Sequence, residues 1–496
     1  MPLRLSTVNE RGAAPVGYQR RRPEETVLYQ VVQDHLATFL EQARERSRYG
    51  TGLPRSVESE FTAFLDCGIL ARGFTRVRCG DCGNELLVAF SCKRRGICPS
   101  CNARRMHDTA AHLVDRVFPL EVATRQWVLS LPFPVRLLLV RRGGLRREVL
   151  KIFLRAITAW QCRTAGVRRG RSGSVTFLQR FGGQLNLNVH FHSIVLEGVY
   201  TVRKEDGAAV FHAVRAPTTE EVAAIASKVA ARVLRLLKAR GLLESSDDAE
   251  ASALDAAQGA ALFGGVVFGP RAGKRVRRLG TGITRPRRER PPLCAEVQGF
   301  DVHAGVAIAA HDRLGLERLA RYGLRAPFAL SRLARAAHGR LTYELKHPLD
   351  DDTTHLVFEP LELLEKLAVL VPPPREHLVL YSGVLAPCAS LRDQVVPPPP
   401  PAPPGACAGK SGRPPRRIDW AALLKRVFAV QILACALCGG KMRVISVIEE
   451  GPVARRILDH LGLPSAAPVR APARDPPDPE LPLPPSTDAR RTFAGA

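Results

Sequence analysis

Residues 175–182 read VTFLQRFG, and residues 185–200 read LNLNVHFHSIVLEGVY. β-Branched and aromatic residues crowd both stretches, with Gly182-Gly183 between them, so the pair reads as a β-hairpin near the middle of the chain. In its second strand His190 and His192 alternate with Val189 and Phe191. A period of two puts both imidazoles on one face. Two such imidazoles can chelate a divalent ion while leaving positions open for phosphate oxygens and water. Two histidines alone equally suit an ordinary half-buried pair. A metal needs a third donor, and Gln179 on the first strand comes near His190 in one register. Its amide oxygen is a hard donor suited to Mg2+ or Mn2+. Asn186, Asn188 and Glu197 are rivals for that role.

Working outward, RQWVLSLPFPVRLLLV (125–140) reads as a strand, a Pro-containing break and an apolar continuation. Residues 147–165 and 218–243 read as helices. Residues 340–358 read as two strands, LTYELK and THLVFE, around an acidic turn, and 360–370 as helix. In HDRLGLERLARYGLRAP (311–327), Asp312 is placed to cap a helix that Pro327 ends. Tyr322 lies on that helix. Arg318 and Arg325, at i−4 and i+3, share its face, and Arg321 precedes it. A phenol among guanidiniums suits a nucleophile that must approach a phosphate. A free phenol ionises only near pH 10, so it needs a partner that stabilises charge in the transition state. Taken alone, such a tyrosine is more often a packing residue; the histidine pair changes that reading.

Nearer the amino terminus, RCGDCGNELLVAFSCKRRGICPSC (78–101) holds Cys79-x2-Cys82 and Cys98-x2-Cys101, with 15 residues between the pairs. Two such knuckles suit one tetrahedral zinc ion with four thiolates, a closed and therefore structural site. Cys92 fits the spacing less well. Arg94, Arg95, Arg104 and Arg105 surround the segment and suit DNA holding. Far downstream, Cys435-x2-Cys438 is half of a possible second zinc knuckle, with Cys388 and Cys407 upstream of it.

The bulk properties agree. The chain has 496 residues, enough for two to four folded units. Lys plus Arg number 73 against 47 acids, a formal net charge of +26, so a polyanion such as nucleic acid is the natural partner. A GC-rich genome is the bland explanation of the same excess. The basic loop 271–290 has no aromatics to stack bases, which suits backbone contact. No apolar run approaches the roughly 18 residues of a membrane span. MPLRLSTVNERGAAP lacks the apolar core of a signal peptide. A cytoplasmic, nucleoid-associated protein is expected, whose 12 cysteines are not disulfides.

The segments expected are a flexible arm (1–24), a helical and zinc-binding DNA-binding domain (25–118), a catalytic domain (119–394), a Pro-rich linker (395–417), a small helix/CxxC unit (418–463) and a disordered tail (464–496).

From about residue 30 to 390 the chain resembles the HUH-type rolling-circle transposases of insertion sequences and common-region elements, which carry an amino-terminal zinc-binding domain. The resemblance rests on CGDCG…FSCKRRGICPSCNARRM, RQWVLSLPFPVR, LNLNVHFHSIVLEGVY, LERLARYGLRAP and THLVFEPLELLEKLAVLVPPPR. It implies an α+β fold: a zinc ribbon followed by an HUH nuclease domain, an antiparallel sheet flanked by helices. It implies cleavage of single-stranded or hairpin DNA through a 5′-phosphotyrosine, without ATP. The family's paired histidines fall on His190 and His192, its nucleophile on Tyr322 and its strand glutamine on Gln179. Some relatives carry two tyrosines four residues apart. Here those positions are Arg318 and Ala326, so Tyr322 would act twice or a second subunit would contribute. A plasmid or phage replication initiator with the same chemistry and a non-catalytic zinc-ribbon DNA-binding protein remain alternatives, although no GxxxxGK[ST] loop of a linked helicase is present.

Overall fold

The computed structural model describes residues 18–47, 49–242, 252–283, 289–398, 423, 426 and 433–474. Helix α1 (Val27–Glu45) starts where the Thr26 hydroxyl accepts from the Tyr29 N–H, and α2 (Arg55–Asp66) packs on it through Phe39 and Phe61. A hairpin follows, β1 (Phe74–Cys79) and β2 (Glu85–Ala89), then α3 (Pro99–Arg116) with proline in its first turn. Next come β3 (Thr124–Ser130), α4 (Phe133–Arg141) and α5 (Gly143–Thr164). The apolar run after the proline break is thus helical.

The central hairpin forms as β4 (Gly173–Phe181) and β5 (Leu187–Leu196), with a smaller one, β6 (Gly198–Val202) and β7 (Ala209–Ala213), after it. A Thr218/Glu221 capping box opens α6 (Thr219–Ala239). The chain continues through α7 (Ala253–Leu262), β8 (Arg277–Gly280), β9 (Cys294–Val297), β10 (Phe300–Ile308) and α8 (Arg313–Leu324), whose first turn Asp312 caps. Then follow β11 (Leu333–Arg335), β12 (Leu341–Glu344), β13 (Thr353–Phe358), α9 (Pro360–Leu370), β14 (Val379–Gly383) and the short α10 (Arg392–Val395). Beyond residue 432 lie β15 (Met442–Ile448) and α11 (Gly451–His460).

The main sheet runs β14-β4-β5-β3-β10-β9, with every neighbouring pair antiparallel. Leu129, Leu178 and Phe191 point to one face and share a core with Phe153 and Ile157 of α5 and with Val229 and Val233 of α6. Phe177, Ile194 and Leu196 point to the other. There they meet Leu316, Leu319 and Ala320 of α8 and Leu113 and Val114 of α3. The alternation of β5 therefore sends the histidines to the face that α8 crosses. Among the described residues, no helix is long and apolar enough to cross a membrane.

Several segment boundaries differ from those expected. The unit at 418–463 does not stand apart, because β15 pairs antiparallel with β1 and completes the sheet β15-β1-β2. Residues 464–474 do not form a loose tail. They run along α1, where Gln33 donates to the Val469 carbonyl and Thr38 accepts from the Arg474 N–H, so side chains of α1 pair backbone groups of this segment. In the basic loop, Arg271, Arg277 and Arg278 pair internally with Glu362, Glu359 and Asp351. Residues 1–17, 399–417 and 475–496, where parts of the arm, linker and tail were placed, lie outside the described residues.

Candidate active site and metal centres

Register brings the site together on the sheet. Gln179 of β4 pairs opposite His190 of β5, and all three of Gln179, His190 and His192 are buried. The two imidazole centroids are 4.9 Å apart. His190 Nδ1 donates to the Asn188 carbonyl at 2.9 Å, which leaves Nε2 as the acceptor. His192 Nδ1 lies 3.2 Å from the Gln126 side-chain amide of β3, and His192 Nε2 has no partner. A half-turn of the Gln126 amide offers oxygen in place of nitrogen, so it can support either tautomer. Gln179 Nε2 donates to the carbonyls of Tyr322 and Gly323, at 3.2 and 2.8 Å, while its Oε1 is left without a partner. A buried acceptor with nothing to accept costs about 1–3 kcal/mol, so orphaned acceptors gathered here mark a place for a ligand. Two imidazole nitrogens and an amide oxygen are a donor set that fits a divalent ion.

Burial pushes the His190 pKa down to about 4, and the nearby Arg325 and Arg136 guanidiniums add to this. Burial, helped by His190 and Arg325, pushes His192 down to about 3. Both rings are therefore neutral near pH 7, the form that binds metal. Of the rival third donors, Glu197 is held by Arg125 at 2.6 Å, and Asn186 folds against the Gly182 turn. Asn188 Oδ1 is unpartnered and stays a rival.

Helix α8 supplies the tyrosine. A Cβ at Gly323 would sit 2.3 Å from the Phe177 ring, so glycine lets the helix lie tightly on β4. That approach turns Tyr322 edge-on to His192, with centroids 5.6 Å apart and planes at 83°. Tyr322 is 41% exposed and so open to solvent. The Arg325 guanidinium lies 4.3 Å from its ring centroid and the Lys346 ammonium 5.8 Å. Gln126, Gly323 and Lys346 went unnoticed in the sequence. Nothing local marks them, since their partners are remote in the chain.

The arginines divide. Arg94, Arg104 and Arg318 are exposed, and Arg105 donates to the Lys93 carbonyl at 2.8 Å. Arg321 lies close enough to His107 to lower its pKa, behind the larger effect of burial. Arg95 turns inward and donates to the Pro373 and Glu376 carbonyls. It straps the amino-terminal region to the segment before β14, so its expected role in holding DNA is corrected.

The cysteines regroup. Cys79, Cys82, Cys98 and Cys101 do not form one site. Cys98 and Cys101 join Cys67 and Cys92, while Cys79 and Cys82 join Cys435 and Cys438. The hairpin explains the split. Cys79 and Cys82 sit at its tip, and Cys67, Cys92 and Cys98 lie beyond its base. Five residues of strand extend about 17 Å, far outside the reach of one ion. Within the first cluster, Cys92–Cys101, Cys67–Cys98 and Cys67–Cys101 have sulfur separations of 3.4, 3.6 and 3.7 Å, and all four sulfurs lie within 4.8 Å of one another. Tetrahedral zinc with Zn–S near 2.3 Å requires about 3.8 Å. A disulfide requires about 2.05 Å. The first cluster is thus shaped for structural zinc. Cys67, a lone cysteine at the end of α2, carried no spacing signal.

Two family models match the chain. One is described as "Transposase zinc-binding domain" and covers residues 31–131, which include all of Cys67, Cys92, Cys98 and Cys101. The other, described as "Putative transposase", covers residues 173–392, which include Gln179, His190, His192 and Tyr322. Among curated proteins and among solved structures, none matches. The two matches, in this order, support a transposase family with an amino-terminal zinc-binding domain.

Proposed function

We propose that this transposase is a single-tyrosine HUH enzyme, which cuts and rejoins single-stranded or hairpin DNA at element ends and drives rolling-circle transposition. The observation that carries the reading is Tyr322 set edge-on to His192, above buried acceptors on one sheet face. His190, His192 and Gln179 would hold Mg2+ or Mn2+, which when bound would supply Lewis acidity at the scissile phosphate. Tyr322 Oη attacks the phosphorus and gives up its proton to solvent. The P–O3′ bond breaks, and the leaving oxygen takes up a proton as a free 3′-hydroxyl. The 5′-phosphate stays esterified to Tyr322. Attack on that ester by a 3′-hydroxyl restores a phosphodiester and returns the phenol. One ester replaces another, so no nucleotide hydrolysis is needed. Arg325 and Lys346 beside the ring offset phosphate charge, and the exposed Arg318, Arg94 and Arg104 suit backbone contacts.

The test is cleavage of labelled single-stranded element-end DNA with Mg2+ or Mn2+, beside Tyr322→Phe and His192→Ala. A denaturant-resistant protein–DNA adduct is expected from the wild type, reduced about 100-fold or more in both variants. An adduct that survives Tyr322→Phe would move the nucleophile elsewhere. Binding with no adduct on any end would favour a non-catalytic DNA-binding protein.

A further inference from the structure

The match to the zinc-binding domain ends at residue 131, yet two of its cysteines find their partners more than three hundred residues later. Cys79 Sγ lies 3.5 Å from Cys438 Sγ, and Cys82 Sγ lies 3.6 Å from Cys435 Sγ. All four sulfurs fall within 4.8 Å of one another. We propose that Cys79, Cys82, Cys435 and Cys438 bind a second structural zinc ion, which clasps the carboxy-terminal segment onto the amino-terminal sheet. The proposal is independent of the tyrosine chemistry.

The two halves are built alike. Each is a Cys-x2-Cys turn closed by a glycine in the left-handed region, Gly83 at φ +74° and Gly439 at φ +75°. In each the first cysteine's N–H donates five residues on, Cys79 to the Asn84 carbonyl and Cys435 to the Gly440 carbonyl, both at 2.8 Å. Further donors point at sulfur, as zinc-bound thiolates prefer. The Gly440 N–H is 3.4 Å from Cys438 Sγ, and Asn84 Nδ2 is 3.5 Å from Cys435 Sγ. The ladder holds the halves in place: Met442 pairs with Cys79 at one end of β15 and Ile448 with Phe74 at the other. Four thiolates leave no open position, so the ion is structural.

Packing by β15 itself is thin, although α11 adds Ala454 and Leu458, buried against Leu70 and Phe74. Arg443, Val444, Ile445 and Val447 of β15 are exposed, and Met442 is its one buried residue. The apolar cluster at the knuckles is Val77, Cys79, Cys435 and Met442. A thiolate–zinc site supplies free energy that holds the returning strand in place.

Metal analysis of the purified full-length protein tests this. Two zinc ions per chain are expected, falling to one in Cys435→Ser/Cys438→Ser. One zinc in the wild type, or two in the variant, would overturn the proposal. A second measurement does not depend on the variant's folding. A protease site inserted within residues 399–417 allows the chain to be nicked. The carboxy-terminal fragment should stay bound after cleavage and separate when a zinc chelator is added. A fragment that separates with zinc present, or that stays bound after the metal has been removed, would sink the clasp.

Discussion

At the scale of single residues, Gln179 uses both ends of one amide. Its nitrogen holds the carbonyls of Tyr322 and Gly323 in α8, and its oxygen is left without a partner, at the strand position opposite His190. Gln179→Glu keeps an oxygen for the proposed ion but removes the N–H donors. The carbonyls of Tyr322 and Gly323 would then face a carboxylate. A loss of about 1–3 kcal/mol in urea unfolding is expected. An unchanged midpoint would mean that the amide does not hold α8. The histidine pair and Gln179 were readable because strand alternation and a short hairpin are local rules. Gln126 and Lys346 were not, since each meets the site from a strand or loop whose neighbours the sequence does not name. Arg95 makes the same point in reverse. Its sequence context matches Arg94, yet only the fold turns it towards the Pro373 and Glu376 carbonyls.

At the scale of elements, the placing of α8 on β4 depends on one missing methyl. Gly323→Ala would drive a Cβ into the Phe177 ring, and overpacking of this kind costs about 1–3 kcal/mol. The variant should lose stability and DNA cleavage together, because Tyr322 moves with the helix. Adding Phe177→Leu makes room and should restore part of both. If the double variant is no better than the sum of the single changes, the contact is not what sets the helix. Periodicity and the Asp312 cap made α8 itself legible. Its seat was not, because helical spacing says which face is apolar but not which strand receives it. The cysteines show the same limit. Spacing found the knuckles but joined the wrong pairs, because a hairpin strand carries one knuckle away from the other.

At the scale of the whole molecule, the amino-terminal helices and the catalytic region share buried polar ties. Glu365 of α9 is fully buried and accepts from the N–H groups of Val267 and Phe268, at 2.7 and 2.9 Å. Lys366 beside it is nearly as buried and donates to the Gly265 carbonyl. The same loop reaches α1, where Gln42 accepts from the Gly269 N–H. Glu365→Ala would strand a buried ammonium and two amides, and a loss of about 3–5 kcal/mol is expected in chemical denaturation. Arg277→Ala, which breaks an exposed pair, should cost less than about 1 kcal/mol. Comparable losses in both would contradict the burial argument. The carboxy-terminal segment adds a further tie. Arg426 pairs with Asp115 of α3 and with Glu317 of α8, so a segment set off by its prolines meets the tyrosine helix directly.

The sequence by itself determined the central hairpin, the main helices, the two-histidine face, the basic tyrosine helix and the presence of thiolate knuckles. These follow from periodicity, capping and spacing, which act over a few residues. The tertiary structure alone decided which cysteines share an ion, which arginines face outward, and that residues 433–474 return to the amino-terminal region. Those outcomes depend on strand pairing and helix docking between segments hundreds of residues apart. A local pattern records what each segment can offer, but not the partner it will meet.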